Sequence, residues 1–446
     1  MTEKKNKVLL VGQGAREHAI AKALKKSDLD LYAFMKAKNP GIAKLSTKVK
    51  LAKLNDFIAL EEFIQEIEPS IAVIGPENPL ADGIVDFLQE KGVRAIGPTK
   101  TNARVEASKS FTRDLMKKYN IPGLIDFRVF QPDTKDQDII DYVNKLGKVV
   151  VKRDGLAGGK GVKLMGEHLK GIDEVIAFCR EIFEQGEPVV LEELLVGEEF
   201  SLQCFVSGSD IIPTPIAQDH KRAYEGDQGP NTGGMGSYSA ENHLLPFIPA
   251  KVVEEAKEII KQSAIAIKKE TGQDYCGILY GGFMLTPNGL KLLEYNARFG
   301  DPEAMNVLPL LITPLIDIFN AMIKKELASL KVEFKKQATV CKYLVPEGYP
   351  ISPRKEEPIE VSVEKITNEG ADLYYSSVSE LEEGKIITTT SRAIAIVGIA
   401  ESLEKAEEIA EKSTTYVEGP LFHRKDVGTK ALIQKRIDHL KELKIL

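Results

Sequence analysis

Three runs of residues have types and spacing that suit chemistry. KLLEYNAR at 291–298, taken as a strand, puts Glu294, Asn296 and Arg298 on one face and Leu293, Tyr295 and Ala297 on the other. A carboxylate and an amide two residues apart offer hard oxygens suited to Mg²⁺ against nucleotide phosphates. Arg298 on the same face is placed to stabilise charge on a phosphoryl group in transfer. DGLAGGKG at 154–161 holds four glycines in eight residues and follows an expected strand at 148–152, so its backbone can lie close over phosphates. It is not a Walker motif, because Lys160 is followed by Gly161 and not by Ser or Thr. Lys152 at the end of that strand and Lys109 at the head of an earlier helix are available to neutralise phosphate oxygens. Downstream, LEELL at 191–195 ends a strand where Glu192, Glu193 and Leu195 can offer backbone groups to an adenine edge, with Glu199 a candidate acceptor for a ribose hydroxyl.

The third run is Gly12-Gln13-Gly14, between an apolar strand and a helix, where backbone N–H groups attract an anion. Two features count against a dinucleotide-binding dehydrogenase, which would bind NAD. The third glycine of its fingerprint falls on Glu17, and the second strand ends near Lys36 and Lys38 and not at an acid for a ribose hydroxyl. A site for a phosphorylated substrate fits better, closed by Asn39-Pro40-Gly41.

The elements that must hold these runs read as follows. Strands at 7–11, 31–34, 71–75 and 94–97 alternate with helices after Gly14 and at 60–67 and 84–90, which implies a parallel sheet with helices on both faces. Helical periodicity covers 108–118, strands fall at 148–152, 189–192 and 199–206, and 218–238 reads as a structureless segment rich in Gly, Asp and Asn. An amphipathic helix spans 251–269, with Val252, Val253, Ala256, Ile259, Ile260, Ala264 and Ile267 as its apolar stripe. Two strands joined by Pro-Asn-Gly follow at 277–285 and 291–296, then a helix at 309–325. Strands at 339–345 and 393–398 and a helix at 402–412 close the chain. The fold class is α/β, with α+β character in the middle part.

The 446 residues suggest about three domains. With 60 Lys and Arg against 66 Asp and Glu, the net charge of −6 argues against a nucleic-acid binder. No apolar run is long enough to span a bilayer, and the apolar stretch at 8–11 is too short for a signal-peptide core. The four cysteines are widely spaced without a CxxC, and the six histidines lack a metal-ligand spacing. Buried thiols in a reducing, cytoplasmic compartment are expected.

Together these residues resemble the ATP-grasp superfamily and, within it, the phosphoribosylamine–glycine ligases. The resemblance is carried by GQGAREH (12–18), GPENPL (75–80), EASK (106–109), KRDGLAGGKGV (152–162), GEEFS (197–201), QDHKR (218–222), GPNTGGMGSY (229–238), EYNARFGDPE (294–303) and HRKDVG (423–428). It departs at Ala15, where a second Gly is common, and at 304–306, where Ala-Met-Asn replaces a run that commonly carries Gln.

The resemblance implies three parts: an N-terminal substrate-binding domain at 1–104, an ATP-grasp domain at 105–332 with a lid at about 119–192, and a C-terminal domain at 333–446. It implies ATP-driven joining of glycine to 5-phosphoribosylamine through glycyl phosphate, with Mg²⁺ or Mn²⁺. Glu294 and Asn296 would hold the metal. Lys109, Lys152, Gly158, Gly159, Lys160 and Gly161 would hold ATP, and Arg298 and Lys152 would act in catalysis. Gly12, Gly14, Arg16, Asn39 and Gly41 would surround the ribosylamine phosphate, with Glu17 and Glu77 near its amine or hydroxyls. In the segment 218–238, Asp219 or Asp227 would take the glycine ammonium, with Lys221, Arg222 and Asn231 nearby. The same likeness implies small-molecule substrates only, a monomer or weak homo-oligomer, and a chain without fused later-pathway domains. Another carboxylate–amine ligase, a biotin carboxylase-like enzyme and a nucleotide-binding regulator without turnover are the competing readings.

Overall fold

A computed structural model describes residues 6–156, 161–382 and 384–446. Near the N-terminus, five parallel strands lie in the order Lys48–Leu51, Leu29–Met35, Asn6–Val11, Ile71–Ile74, Arg94–Ile96. Their continuous apolar runs fit a sheet covered on both faces. Leu9, Val11, Ala72 and Ile74 pack under the helices Phe57–Ile67 and Ile84–Glu90. Val8, Leu10, Ile71 and Val73 face the helix Ala15–Leu24 and, from much later in the chain, Leu315–Lys324.

The middle of the chain builds two antiparallel sheets. One joins Phe127–Phe130, Val189–Glu193, Val149–Arg153 and Val162–Leu164. With the helices Asp136–Leu146 and Ile172–Phe183 it closes a core of its own, including Phe130, Ile139, Val151, Phe178 and Ile182. The other sheet runs Asp210–Pro213, Glu198–Ser207, Cys276–Thr286, Gly289–Asn296. The helix Ala250–Thr271 lies on it and buries Val252, Ala256, Ile259, Ile260, Ala264 and Ile267 of the stripe its periodicity marked, with Val253 only partly buried.

The last part is centred on the strand Ala338–Pro346, paired with Ile394–Ala400 and backed by the helix Leu403–Thr414.

Two expectations need correction. The segment 218–238 is not structureless. Gln218–Asp219 pairs with Gly236–Ser239, which continues the sheet of Ala338–Pro346, and Arg222–Tyr224 forms a hairpin with Gln228–Asn231. Strands this short, interrupted by glycine, leave no periodicity to read. The helix expected at 309–325 is confined to Leu315–Lys324, with Pro314 as its N-cap. Ahead of it a turn at 308–310 leads into a bridge between Leu311 and Phe334: Ile312 N–H donates to Glu333 O at 2.9 Å and Lys335 N–H to Leu310 O at 2.8 Å, so tertiary pairing overrides helical propensity.

Candidate active site

The strand Gly289–Asn296 does not alternate uniformly. Gly282 pairs with Glu294, but the next residue, Phe283, pairs with Leu292, leaving Leu293 as a bulge. Before the bulge Leu290 and Leu292 are buried; after it Tyr295 and Ala297 are. The extra residue reverses the parity and turns Glu294, Asn296 and Arg298 into the cleft. Leu293 therefore lines the same depression as Glu294, together with Glu199, Asp219, Lys221 and Tyr280, and not the opposite face expected for it. The carbonyls at the bulge are held: Arg113 donates to Leu292 O at 2.9 Å and to Leu293 O at 2.7 Å, and Lys152 Nζ donates to Leu293 O at 3.2 Å.

Around Glu294 the cleft is cationic. Desolvation opposes its ionisation, but Lys221, Lys152, Lys109 and Arg298 outweigh that and hold its carboxyl below the usual glutamate value. Lys221 Nζ lies 3.7 Å from Glu294 Oε1 and 3.7 Å from Glu199 Oε2. Lys109 Nζ donates to Gly155 O at 2.8 Å, at the root of the glycine-rich run. Gly161 O accepts from Arg153 N–H at 2.9 Å; Gly158, Gly159 and Lys160 lie outside the described residues.

A second charge chain ties the N-terminal sheet to this strand. Glu77 Oε2 lies 3.8 Å from Arg16 Nη2 and 3.4 Å from Arg298 Nε. Arg298 Nη2 lies 3.0 Å from Glu106 Oε1 and donates to Asn296 Oδ1 at 3.3 Å. Burial works against the Glu77 carboxylate, yet Arg298 and Arg16 bring its pKa down to about 2. Burial instead raises that of Glu106, whose Oε2 accepts from Ala297 N–H at 2.6 Å.

The motif runs 218–222 and 229–238 lie side by side. His220 N–H donates to Gly236 O and Met235 N–H to His220 O. The Asp219 carboxyl is raised well above the usual aspartate value, first by burial and then by Glu303, and its buried Oδ1 has no hydrogen-bond partner among the described residues. A buried acceptor with unmet capacity, beside Glu303 and Lys221, suits a cationic ligand.

Several other expected ligands are occupied by structural work. Asn39 is 1% exposed. Its Oδ1 caps the helix Pro40–Leu45 through Gly41 and Ile42 N–H, and its Nδ2 donates to Gln13 O and Tyr375 O. The His18 ring packs so closely on Gly41 that a Cβ there would lie 2.0 Å from it. Glu17 accepts from Gly14 N–H and Arg16 Nε, and so braces the Gly12–Gly14 turn without offering a free oxygen. Asp227 faces the guanidinium groups of Arg424 and of Arg436, the latter from the helix Lys430–Glu442, so its carboxylate is already paired. Asn231 sits in that hairpin opposite Arg222. The side chain of Glu192 is 2% exposed: Arg113 Nε donates to its Oε1 at 2.6 Å, and Lys152 Nζ is 2.7 Å from its Oε2. Glu193 N–H is used by Asp126 O, so only the backbone at and beyond Leu195 lies past the ladder.

The reading from sequence missed Arg113, Glu303 and Arg392. Arg113 breaks the apolar face of its helix, which is a weak signal. Glu303 sits in a quoted motif without a role, and Arg392 lies in no motif.

The donor set fits a divalent ion held together with phosphates. Among the described residues there is no group of three or more His, Cys, Asp or Glu able to cage a metal. Glu294 and Asn296 supply two oxygens on one cleft face, and Mg²⁺ is ordinarily held by one or two such ligands plus substrate phosphates.

Family models for the N, ATP-grasp and C domains of phosphoribosylglycinamide synthetase match residues 6–106, 107–304 and 339–430. The phosphoribosylamine–glycine ligase of Methanocaldococcus jannaschii is 50% identical over 98% of this chain and 100% of its own length. That of Methanosarcina barkeri is also 50% identical, over 98% of this chain. The crystal structure of the Thermotoga maritima phosphoribosylamine–glycine ligase superposes with a TM-score of 0.78 at 28% identity, covering 94% of this chain and 99% of that one. A Hydrogenobacter thermophilus biotin carboxylase domain, at 14% identity and TM-score 0.74, shares the fold. The motif runs, the charged cleft and these matches lead to one statement: the chain belongs to the phosphoribosylglycinamide synthetase family.

Proposed function

We propose that the chain joins glycine to 5-phosphoribosylamine at the expense of ATP, giving glycinamide ribonucleotide, ADP and phosphate in purine biosynthesis. The observation that carries this reading is the bulged strand, which turns Glu294, Asn296 and Arg298 together into a cleft ringed by lysines. Glycine's carboxylate is a poor acyl donor. Transfer of the γ-phosphoryl to a carboxylate oxygen gives glycyl phosphate. The ribosylamine nitrogen then attacks the carbonyl carbon, the bond to the phosphate oxygen breaks, and the nitrogen loses a proton. Positioning and charge neutralisation can supply most of such catalysis.

Lys109 and Lys152 would hold ATP phosphates, with Gly155 and Gly161 framing the glycine-rich run, while Glu199 would receive a ribose hydroxyl and the backbone near Leu195 the adenine. Glu294 and Asn296 would hold Mg²⁺ or Mn²⁺, which when bound screens the phosphates and polarises the transferring group. Arg298, already oriented by Glu106 and Glu77, would stabilise charge on the acyl phosphate. Asp219 would take the glycine ammonium, with Lys221 near its carboxylate. The turn at Gly12 and Gly14, Arg16 and Glu77 would face the phosphoribosylamine.

Both glycyl phosphate and the ribosylamine react with water. We assign residues 119–192, which include a separate hydrophobic core between Phe130 and Leu191, as a lid closing over ATP. The division at 104 and 332 goes with this reading. So do a cytoplasmic location, small-molecule partners only, and a monomer or weak homo-oligomer. No helix among the described residues is long and apolar enough to cross a membrane.

The test is phosphate release from ATP that requires glycine and freshly made phosphoribosylamine together. Release with either one alone would overturn the reading.

A further inference from the structure

Arg392 precedes the strand Ile394–Ala400 in the C-terminal part of the chain, yet its side chain reaches two motif runs of the cleft. Nη1 donates to Gly233 O at 2.5 Å, to Gly234 O at 3.0 Å and to Asp301 O at 3.3 Å. Nη2 lies 3.2 Å from Asp301 Oδ1, and the guanidinium lies 4.4 Å from the centre of the Tyr343 ring, whose hydroxyl also donates to Asp301 Oδ1 at 2.7 Å. The backbone of Arg392 is itself fixed, since its carbonyl accepts from Ser377 N–H at 2.9 Å.

What Arg392 holds are the walls packed on Asp219 Oδ1, which has no hydrogen-bond partner among the described residues. Gly234 has φ +108°, and a Cβ there would lie 2.6 Å from Asp219 Oδ1 and 2.7 Å from Pro302 Cδ. One wall is therefore the Gly234 backbone and the other is Pro302, and each is attached to Arg392 through a neighbouring carbonyl. A planar guanidinium can serve several acceptors in fixed directions, whereas an ammonium is a point charge. Behind the same space, Tyr280 donates to Glu303 Oε1 at 2.9 Å and keeps a second carboxylate in place.

We propose that Arg392 is a positioning residue for the amino-acid subsite: by tying Gly233, Gly234 and Asp301 together it holds the walls that present Asp219 to the ammonium group of a small amino acid. The inference rests on the ligase reading above and adds a contribution from the C-terminal part of the chain to substrate selection.

The experiment is steady-state phosphate release by Arg392→Ala and Arg392→Lys, with glycine and ATP varied separately and thermal melting run alongside. In Arg392→Ala the KM for glycine rises at least tenfold while the KM for ATP stays within twofold, and added ethylguanidinium recovers part of the loss. Arg392→Lys keeps the charge opposite Asp301 and the fold, yet its glycine KM still rises at least fivefold. An unchanged glycine KM, an equal rise in both KM values, or loss of fold in both variants overturns the inference. A wild-type protein that releases phosphate with glycine and ribosylamine while Arg392 proves neutral fails this inference alone; a wild-type protein indifferent to glycine fails the ligase reading beneath it.

Discussion

At the scale of single residues, the cleft sets Glu294 among Lys109, Lys152, Lys221 and Arg298. Glu294→Ala removes the carboxylate proposed to hold the metal, while Lys221, Lys152 and Arg298 keep Glu199, Glu192, Glu77 and Glu106 as partners. We expect phosphate release to fall by on the order of 10²–10³-fold, the range for losing a group that stabilises transferring charge. Mn²⁺ affinity of the nucleotide complex, followed by electron paramagnetic resonance, should fall at least about tenfold. The Glu294 side chain is 39% exposed, so its loss should move the melting midpoint by less than about 4 °C. Wild-type Mn²⁺ affinity in the variant would remove Glu294 from the metal site.

At the scale of elements, the bulge at Leu293 decides which face of the strand meets the cleft. Deleting Leu293 gives a regular ladder that keeps Leu292 in the core and Glu294, Asn296 and Arg298 in the cleft, but it removes the carbonyl that takes Arg113 and Lys152. Loss of that acceptor should cost roughly 1–3 kcal/mol and lower turnover. A deletion variant with wild-type melting and phosphate release would show that the bulge carbonyl does not support the site. The ion pairs of Glu192 join the strand Val189–Glu193 to the helix Lys109–Lys118 in the same region. Burial disfavours its carboxylate, but Arg113 and Lys152 bring its pKa to about 2, below the unfolded value. The stabilisation it contributes is therefore complete above the ordinary glutamate pKa and is lost as pH falls toward about 2. Glu192→Gln should destabilise the protein by about 3 kcal/mol near neutrality and flatten this acid branch in urea denaturation series at stepped pH. An acid branch of unchanged steepness would assign the acid sensitivity to other carboxylates.

At the scale of the whole molecule, three regions of sequence converge on one cleft. Arg16 and Glu77 come from the helices Ala15–Leu24 and Glu77–Asp82 that flank the N-terminal sheet, Glu106 and Arg298 from the middle, and Arg392 from beyond the strand Ala338–Pro346. The unit that contributes Lys152 and Glu192 has a separate hydrophobic core, which suits movement as a body. Closure of that unit over nucleotide predicts that ATP with Mg²⁺ protects the 154–161 run from limited proteolysis, with fragments read by mass spectrometry. Equal cleavage rates with and without nucleotide would argue against a closing lid.

The parallel N-terminal sheet, most of the stripe of Ala250–Thr271 and the grouping of Glu294, Asn296 and Arg298 were legible in the chain alone. Apolar periodicity and motif spacing are local properties that neighbouring residues carry among themselves. Contacts in the folded chain assign Asn39, Glu17 and Asp227 to the scaffold and leave the buried Asp219 Oδ1 without a hydrogen-bond partner among the described residues. They also make Leu293 an inserted residue and bring Arg392 to Gly234 across 158 positions of chain. A polar side chain is a ligand or a brace according to which partners it meets in space, and those partners lie far away along the sequence.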